Sequence, residues 1–221
     1  MNARKKEKEQ AFFFFSFSKI NKQKKSPQAE ESDSLSTMNP SCLQTERLRL
    51  RVLLETDAER LSEYRSDAEV AKYQGWEAPY TLESALKLIR GLHPVEPLRP
   101  ADGQWLQLGI ELQGDGRLIG DCAFQILADD PQQAEIGVTL ERSFQGRGYA
   151  SEALRRLLQH LFEGLGLHRV RANADPENAP CLALLKTLGM RKEGHLIKSL
   201  WWKERWADEV WFAILKEEWK T

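Results

Sequence analysis

Ala134-Glu135-Ile136-Gly137-Val138-Thr139-Leu140 leads through Glu141-Arg142-Ser143-Phe144 into Gln145-Gly146-Arg147-Gly148-Tyr149-Ala150-Ser151. Ile136, Val138 and Leu140 alternate with Glu135, Gly137 and Thr139, so the first seven residues read as a strand with two unlike faces. From Tyr149 onward, Ala150, Ala153, Leu154, Leu157, Leu158, Leu161 and Phe162 recur at helical spacing. That spacing predicts a helix over 149–162, ended by Gly164 and Gly166. Two glycines therefore stand just before a helix start. The N–H groups of a first helical turn have no intrahelical partner and carry the positive end of the helix dipole. Glycines let an anion approach them, and Arg147 adds a donor that suits phosphate. A loop of this design binds pyrophosphate. The same residues also fit a plain strand-to-helix turn that needs backbone freedom. The spacing fits neither Walker A, which needs Gly-Lys-Ser/Thr, nor the three-glycine dinucleotide fingerprint.

Working outward, Arg47–Val52 alternates charged and apolar residues as a half-exposed strand does. Thr56 or Asp57 caps a helix running to about Ser66, and Thr81 caps a second one with Leu82, Ala85, Leu86 and Ile89 on its buried stripe. Gly91, Pro94, Pro97 and Pro100 mark a loop. Strands follow at 105–112 and 118–127, joined by the turn signal Gln113-Gly114-Asp115-Gly116. His168–Ala174 alternates as a strand. Asn178 caps a helix with Pro180 in its first turn, closed by Gly189. Two last strands, about 195–202 and 206–215, flank a turn at Lys203-Glu204. The order is mixed α/β, one compact unit with no repeat.

The chain has 221 residues, 32 Lys+Arg and 33 Asp+Glu, for a formal net charge of -1. No overall positive field exists to draw nucleic acid or an anionic membrane, so neither partner is expected. The charge is uneven. Residues 1–37 hold eight basic and five acidic side chains, leaving 24 basic and 28 acidic for 38–221. The first part joins a basic stretch, interrupted by Phe12–Phe15 and Phe17, to a Ser/Glu/Pro-rich run up to Pro40. It reads as a disordered or non-native extension over 1–40, with Met38 an alternative start, and leaves 41–221 as the folded domain. The Phe run is too aromatic for a signal peptide and is followed by Lys19 rather than a cleavage site. Cys42, Cys122 and Cys181 are odd in number and far apart, which points to a reducing, cytoplasmic setting. No apolar stretch reaches 18 residues, the length of a membrane span.

Gln145-Gly146-Arg147-Gly148-Tyr149-Ala150 resembles the Q/R-x-x-G-x-G/A signature of the GNAT superfamily, the acetyl-CoA-dependent N-acetyltransferases. Asp175-Pro176-Glu177-Asn178-Ala179-Pro180-Cys181, then Leu184–Met190, then Glu193-Gly194, is similar to the family's second cofactor-side segment. Thr45–Arg51 and Trp206–Val210 resemble the branch that includes the ribosomal-protein N-terminal acetyltransferases. The resemblance covers about 43–219. It implies one domain with a mostly antiparallel sheet of about seven strands, a splayed parallel pair, and flanking helices. It implies acetyl-CoA as acetyl donor, a primary amine as acceptor (a protein N-terminus or a small molecule), and a homodimer as one assembly; the alternative reading is a non-catalytic acyl-CoA-binding sensor or interaction module.

The same resemblance assigns roles. Val138 would hold the pantetheine arm through its backbone. Gln145, Gly146, Arg147, Gly148, Tyr149 and Ala150 form the pyrophosphate loop, with Tyr149 packing inside it. Asn178, whose amide both donates and accepts, would bind near the pantetheine. Glu135 resembles the general base of histone-acetylating members, and its residue type equally fits a cross-strand salt bridge. Cys181 stands where the family often has Ser, near the sulfur of the donor. It is either a proton source for the departing thiolate or a small core residue. The family's helix Tyr is absent from Leu182-Ala183-Leu184-Leu185. His93, His160, His168 and His195 show no metal-ligand spacing, so no metal is expected.

Overall fold

The computed structural model of the chain describes residues 42–92, 94–96 and 98–220. The extension over 1–40 and His93 lie outside the described residues. Ten strands and five α-helices occur among the described residues. The strands are β1 Cys42–Gln44, β2 Leu48–Val52, β3 Pro94–Glu96, β4 Arg99–Pro100, β5 Trp105–Leu112, β6 Leu118–Ile126, β7 Gln133–Leu140, β8 Arg169–Ala174, β9 Arg191–Trp202 and β10 Arg205–Leu215. The helices are α1 Ala58–Arg65, α2 Ala68–Ala71, α3 Leu82–Arg90, α4 Tyr149–Gln159 and α5 Ala179–Thr187.

Eight strands form one sheet in the order β1-β2-β5-β6-β7-β8-β10-β9, and β3 and β4 form a separate small hairpin. Every pairing in the large sheet is antiparallel except β7 with β8. The expected seven strands are all present. The eighth, β1, is three residues long, too short for alternation to announce it. The expected loop over 91–100 contains the small hairpin. The helix expected over 149–162 leaves α geometry at Gln159 and finishes in a wider π turn, His160–Gly164. Strand β9 begins at Arg191, four residues early, because its exposed first half carries Lys192 and Glu193 rather than an apolar alternation.

The two faces of the sheet differ in chemistry. Leu108, Phe124, Ile136, Val170 and Phe212, from five neighbouring strands, point to the face covered by α4 and α5 and form the main core. The alternate positions Gln107, Asp121, Gln125 and Glu135 point the other way, and they are also buried. Period-2 alternation thus sorts apolar side chains to one face and polar ones to the other. On the polar side α1 and α3 pack over one half of the sheet through Leu61, Tyr64, Ala85 and Ile89.

The buried charge on this second face is paired. Asp121 (1% exposed) meets Arg65 (0% exposed) at 2.9 Å, with Tyr64 and Gln107 also donating to the same carboxylate. The Arg65 guanidinium lies 4.3 Å from the Trp76 ring centroid, a cation–π contact on its other side. Burying an ion pair is tolerated only when further hydrogen bonds complete it, as here.

Candidate active site

Strands β7 and β8 are joined at three positions, Gln133 with Arg169, Ala134 with Val170, and Glu135 with Arg171. Beyond them β7 continues to Leu140 on β6 alone, and β8 continues to Ala174 on β10 alone. The sheet therefore splits at Glu135 and Arg171. A cavity of about 180 Å³ fills the split. Val138, Asn178, Cys181 and Leu185 line it from the α4/α5 side, while Glu135, Gly137, Asp121 and Glu209 line it from the polar side. The opening thus passes through the sheet from face to face. A Cβ built on Gly137 would meet nothing within 4 Å. Backbone groups along a parted strand have lost their ladder partners and can serve a ligand.

The loop of Gln145–Ala150 follows β7 and leads into α4. Gly146 and Gly148 adopt φ of 72° and 82°, the left-handed region that only glycine enters without steric cost. Gly148 is the N-cap of α4, and the first intrahelical bond runs from Glu152 N–H to its carbonyl at 3.0 Å. The N–H groups of Tyr149, Ala150 and Ser151 thus have no intrahelical acceptor. Gln145 ties the loop back to the strand by donating Nε2–H to Leu140 O at 2.9 Å. Tyr149 packs on Phe144, with ring centroids 6.2 Å apart, and under the Arg47 guanidinium at 4.4 Å.

Arg47 is a site residue that sequence reading passes over. Its Nε and Nη2 each reach Glu152 Oε2 at 2.6 Å, and its backbone N–H donates to Oε1 at 3.0 Å. Thr45 Oγ1 donates to Oε1 at 2.5 Å. Burial alone would raise the Glu152 carboxyl, but the hydrogen bonds from Thr45 and Arg47 outweigh it and hold its pKa below the ordinary range. Arg47 Nη1 also donates to Arg147 O at 3.3 Å. The turn before β2 therefore clamps the loop and the first turn of α4 together. Thr45 and Arg47 lie about a hundred residues from Glu152, so no local pattern announces the contact.

Glu135 is 3% exposed and accepts from Arg171 Nε at 3.0 Å and Nη2 at 2.9 Å. Burial raises its pKa above the ordinary carboxylate value, and Arg171 and Gln125 pull it partly back. The carboxyl makes the cross-strand ion pair that one of its two readings expected, and it also lines the opening. Asn178 caps α5 by accepting from Cys181 N–H at 3.2 Å through Oδ1, which leaves its amide N–H groups for another partner. Burial pushes the Cys181 thiol up to about 11. His195 pairs with Asp208 at 2.8 Å on the rim, and His160 is buried with Nε2 on Leu98 O at 3.0 Å. Among the described residues no helix is long and apolar enough to cross a membrane.

The residues present fit acetyl-CoA. A glycine loop at a helix N-terminus follows the strand β7, whose parted half lines a passage beside a buried carboxylate. Known proteins agree with that geometry. The family model described as acetyltransferase (GNAT) domain matches residues 47–191. The chain is 36% identical over 177 residues to the uncharacterized N-acetyltransferase p20 of Bacillus licheniformis, covering 80% of this chain and 97% of the relative. It is 25% identical over 185 residues to the [ribosomal protein uS5]-alanine N-acetyltransferase of Escherichia coli, covering 80% and 92%. A solved structure of Mycobacterium smegmatis RimJ in complex with CoA-disulfide superposes with a TM-score of 0.68 at 28% identity, covering 79% of this chain and 84% of that one. The chain belongs to the GNAT acetyltransferase family and is an acetyl-CoA-dependent N-acetyltransferase.

Proposed function

We propose that the acceptor is a primary amine, either a protein N-terminus or a small molecule, and that Glu135 is the general base for its direct attack on the thioester. The observation that carries this reading is the position of the Glu135 carboxylate, at the point where β7 leaves β8 and on the face opposite α4 and α5. The N–H groups of Gly146, Arg147, Gly148 and Ala150, with the Arg147 side chain, hold the pyrophosphate. Val138 backbone and the Asn178 amide hold the pantetheine arm. Gln145 and Tyr149 keep the loop in shape through Leu140 and Arg47.

An amine arriving from the polar face is an ammonium ion and must lose a proton before it can attack. Glu135 accepts that proton, directly or through one water. The freed nitrogen bonds to the thioester carbonyl carbon, the carbon–sulfur bond breaks, the sulfur leaves with the electron pair as a thiolate, and the nitrogen sheds its second proton to solvent, which protonates the thiolate. Arg171 fixes the Glu135 carboxyl and opposes the rise in pKa that burial causes. A thiol of pKa about 11 is a weaker acid than an ordinary thiol, so Cys181 acts as a wall of the passage and solvent supplies the last proton. Glu135 and Asp121 are each neutralised by an arginine, whereas Glu209, which accepts from Asn173 and Ser199, adds a negative charge to the lining that favours a cationic acceptor.

Thiol release from acetyl-CoA tests the reading, with short peptides carrying a free Ala or Ser N-terminus and with spermidine as acceptors. The wild type is expected to release thiol with at least one of them, and Glu135→Gln to lower kcat by about 10²-fold or more. Unchanged turnover in the variant would remove Glu135 as base.

A further inference from the structure

Residues 71–77, between α2 and α3, cross the polar mouth of the opening as a strap, and Tyr73, Gln74 and Gly75 line the cavity. The strap touches both lips of the split. Gln74 Nε2 donates to Val138 O at 3.4 Å on the β7 side, and Tyr73 Oη donates to Glu177 O at 3.3 Å on the side that follows β8. The two ends of the strap are fastened by one side chain from far along the chain. Lys203 Nζ donates to Ala71 O at 2.9 Å and to Trp76 O at 3.0 Å, with Glu77 at 3.7 Å.

The turn that delivers Lys203 is strained. Lys203 and Glu204 adopt φ of 44° and 64° between β9 and β10. A two-residue hairpin turn with both φ positive ordinarily takes Asn-Gly or Asp-Gly. Strain of this kind persists only where the surroundings hold it, and it clusters at functional sites. Trp202, the residue before, lines the same cavity. An ammonium with three donors in fixed directions can bridge two carbonyls and one carboxylate at once.

We propose that Lys203 is a positioning residue for acceptor recognition. It holds the 71–77 strap as the acceptor-side wall of the opening, so it sets which amines enter without taking part in acetyl-CoA binding or in the chemistry. This rests on the functional reading above, in which the amine enters from the polar face.

The test compares wild type with Lys203→Met and with the double variant Lys203→Asn, Glu204→Gly. The double variant removes the cation while giving the turn its favoured residues, so the hairpin itself is not weakened. Hydroxylamine, too small to need the wall, and the best free-amine peptide or spermidine serve as acceptors. Both variants are expected to raise the KM of the larger acceptor tenfold or more, to leave acetyl-CoA KM and the hydroxylamine rate within about twofold, and to speed amide exchange over 71–77 but not over 146–152. An unchanged acceptor KM in the double variant overturns the proposal. Equal loss with hydroxylamine also overturns it, because the lysine would then act on the chemistry or the fold. A wild type that transfers acetyl to none of these nucleophiles, hydroxylamine included, would sink the functional reading itself.

Discussion

Glu135 and Arg171 are the last pair at which β7 and β8 run side by side, and their side chains join there at 2.9 and 3.0 Å. One ion pair thus marks the fork of the sheet and places a carboxylate on the passage that the fork creates. The same pair decides how that carboxylate titrates. Burial favours its protonated form and Arg171 opposes this, with burial the larger effect.

The pH–rate profile should record that balance. Turnover requires Glu135 ionised, so the rate falls as pH drops through its pKa. That limb is expected above the ordinary glutamate value of about 4.3. It should vanish in Glu135→Gln, and Arg171→Met should move it to higher pH. A limb identical in wild type and Glu135→Gln would assign it to another group.

Gly137 offers a variant that separates folding from passage. A Cβ there meets nothing within 4 Å beyond its chain neighbours, and Gly137 lines the opening. Gly137→Val should therefore keep or raise stability, by up to about 1 kcal/mol, because a strand interior favours Val over Gly. Acetyl transfer should fall by about 10²-fold or more. Thermal melting and thiol release measured on the same sample check both halves.

The clamp on Glu152 should show in stability and in affinity together. Its carboxylate accepts from Thr45 and Arg47, and a hydrogen bond to a charged group contributes about 1.5–3 kcal/mol. Glu152→Gln keeps the shape but drops the charge, and is expected to cost about 1–2 kcal/mol and to weaken CoA binding severalfold. Because the folded-state pKa is lowered, this contribution is present above the unfolded value of about 4.3 and is lost as pH falls through the folded value. The melting difference between variant and wild type should be full at neutral pH and shrink as pH falls below the unfolded value of about 4.3.

Cys181→Ala should retain the wild-type rate within about threefold. The thiol is half-buried on the wall of the opening and its pKa is raised to about 11, so it stays protonated through neutral pH. Slow alkylation by iodoacetamide and an unshifted basic limb of the rate profile would agree. A tenfold loss of rate in Cys181→Ala, with thermal melting unchanged, would return the thiol to the reaction.

Local features were legible in the sequence. The alternation of Glu135 with Ile136 and Val138, the glycines before Tyr149 and the cap at Asn178 are short-range signals, and each element stands where these place it. The eighth strand and α2 were not, because three or four residues are too few for a period to emerge. Contacts that complete the site join residues far apart in the chain. Arg47 with Glu152, Arg65 with Asp121, and Lys203 with Ala71 depend on which strands become neighbours, and no spacing within one segment encodes that. Asp121 left one trace, a single acid inside the otherwise uncharged run Leu118–Ile126.

The split sheet as the acetyl-CoA site is tested most directly by amide hydrogen exchange with and without acetyl-CoA. The donor is expected to slow exchange tenfold or more over 146–152 and over 136–140, leaving β5 at 105–112 unchanged. Tight binding with no slowing in either segment, or with slowing centred on another part of the sheet, would contradict it.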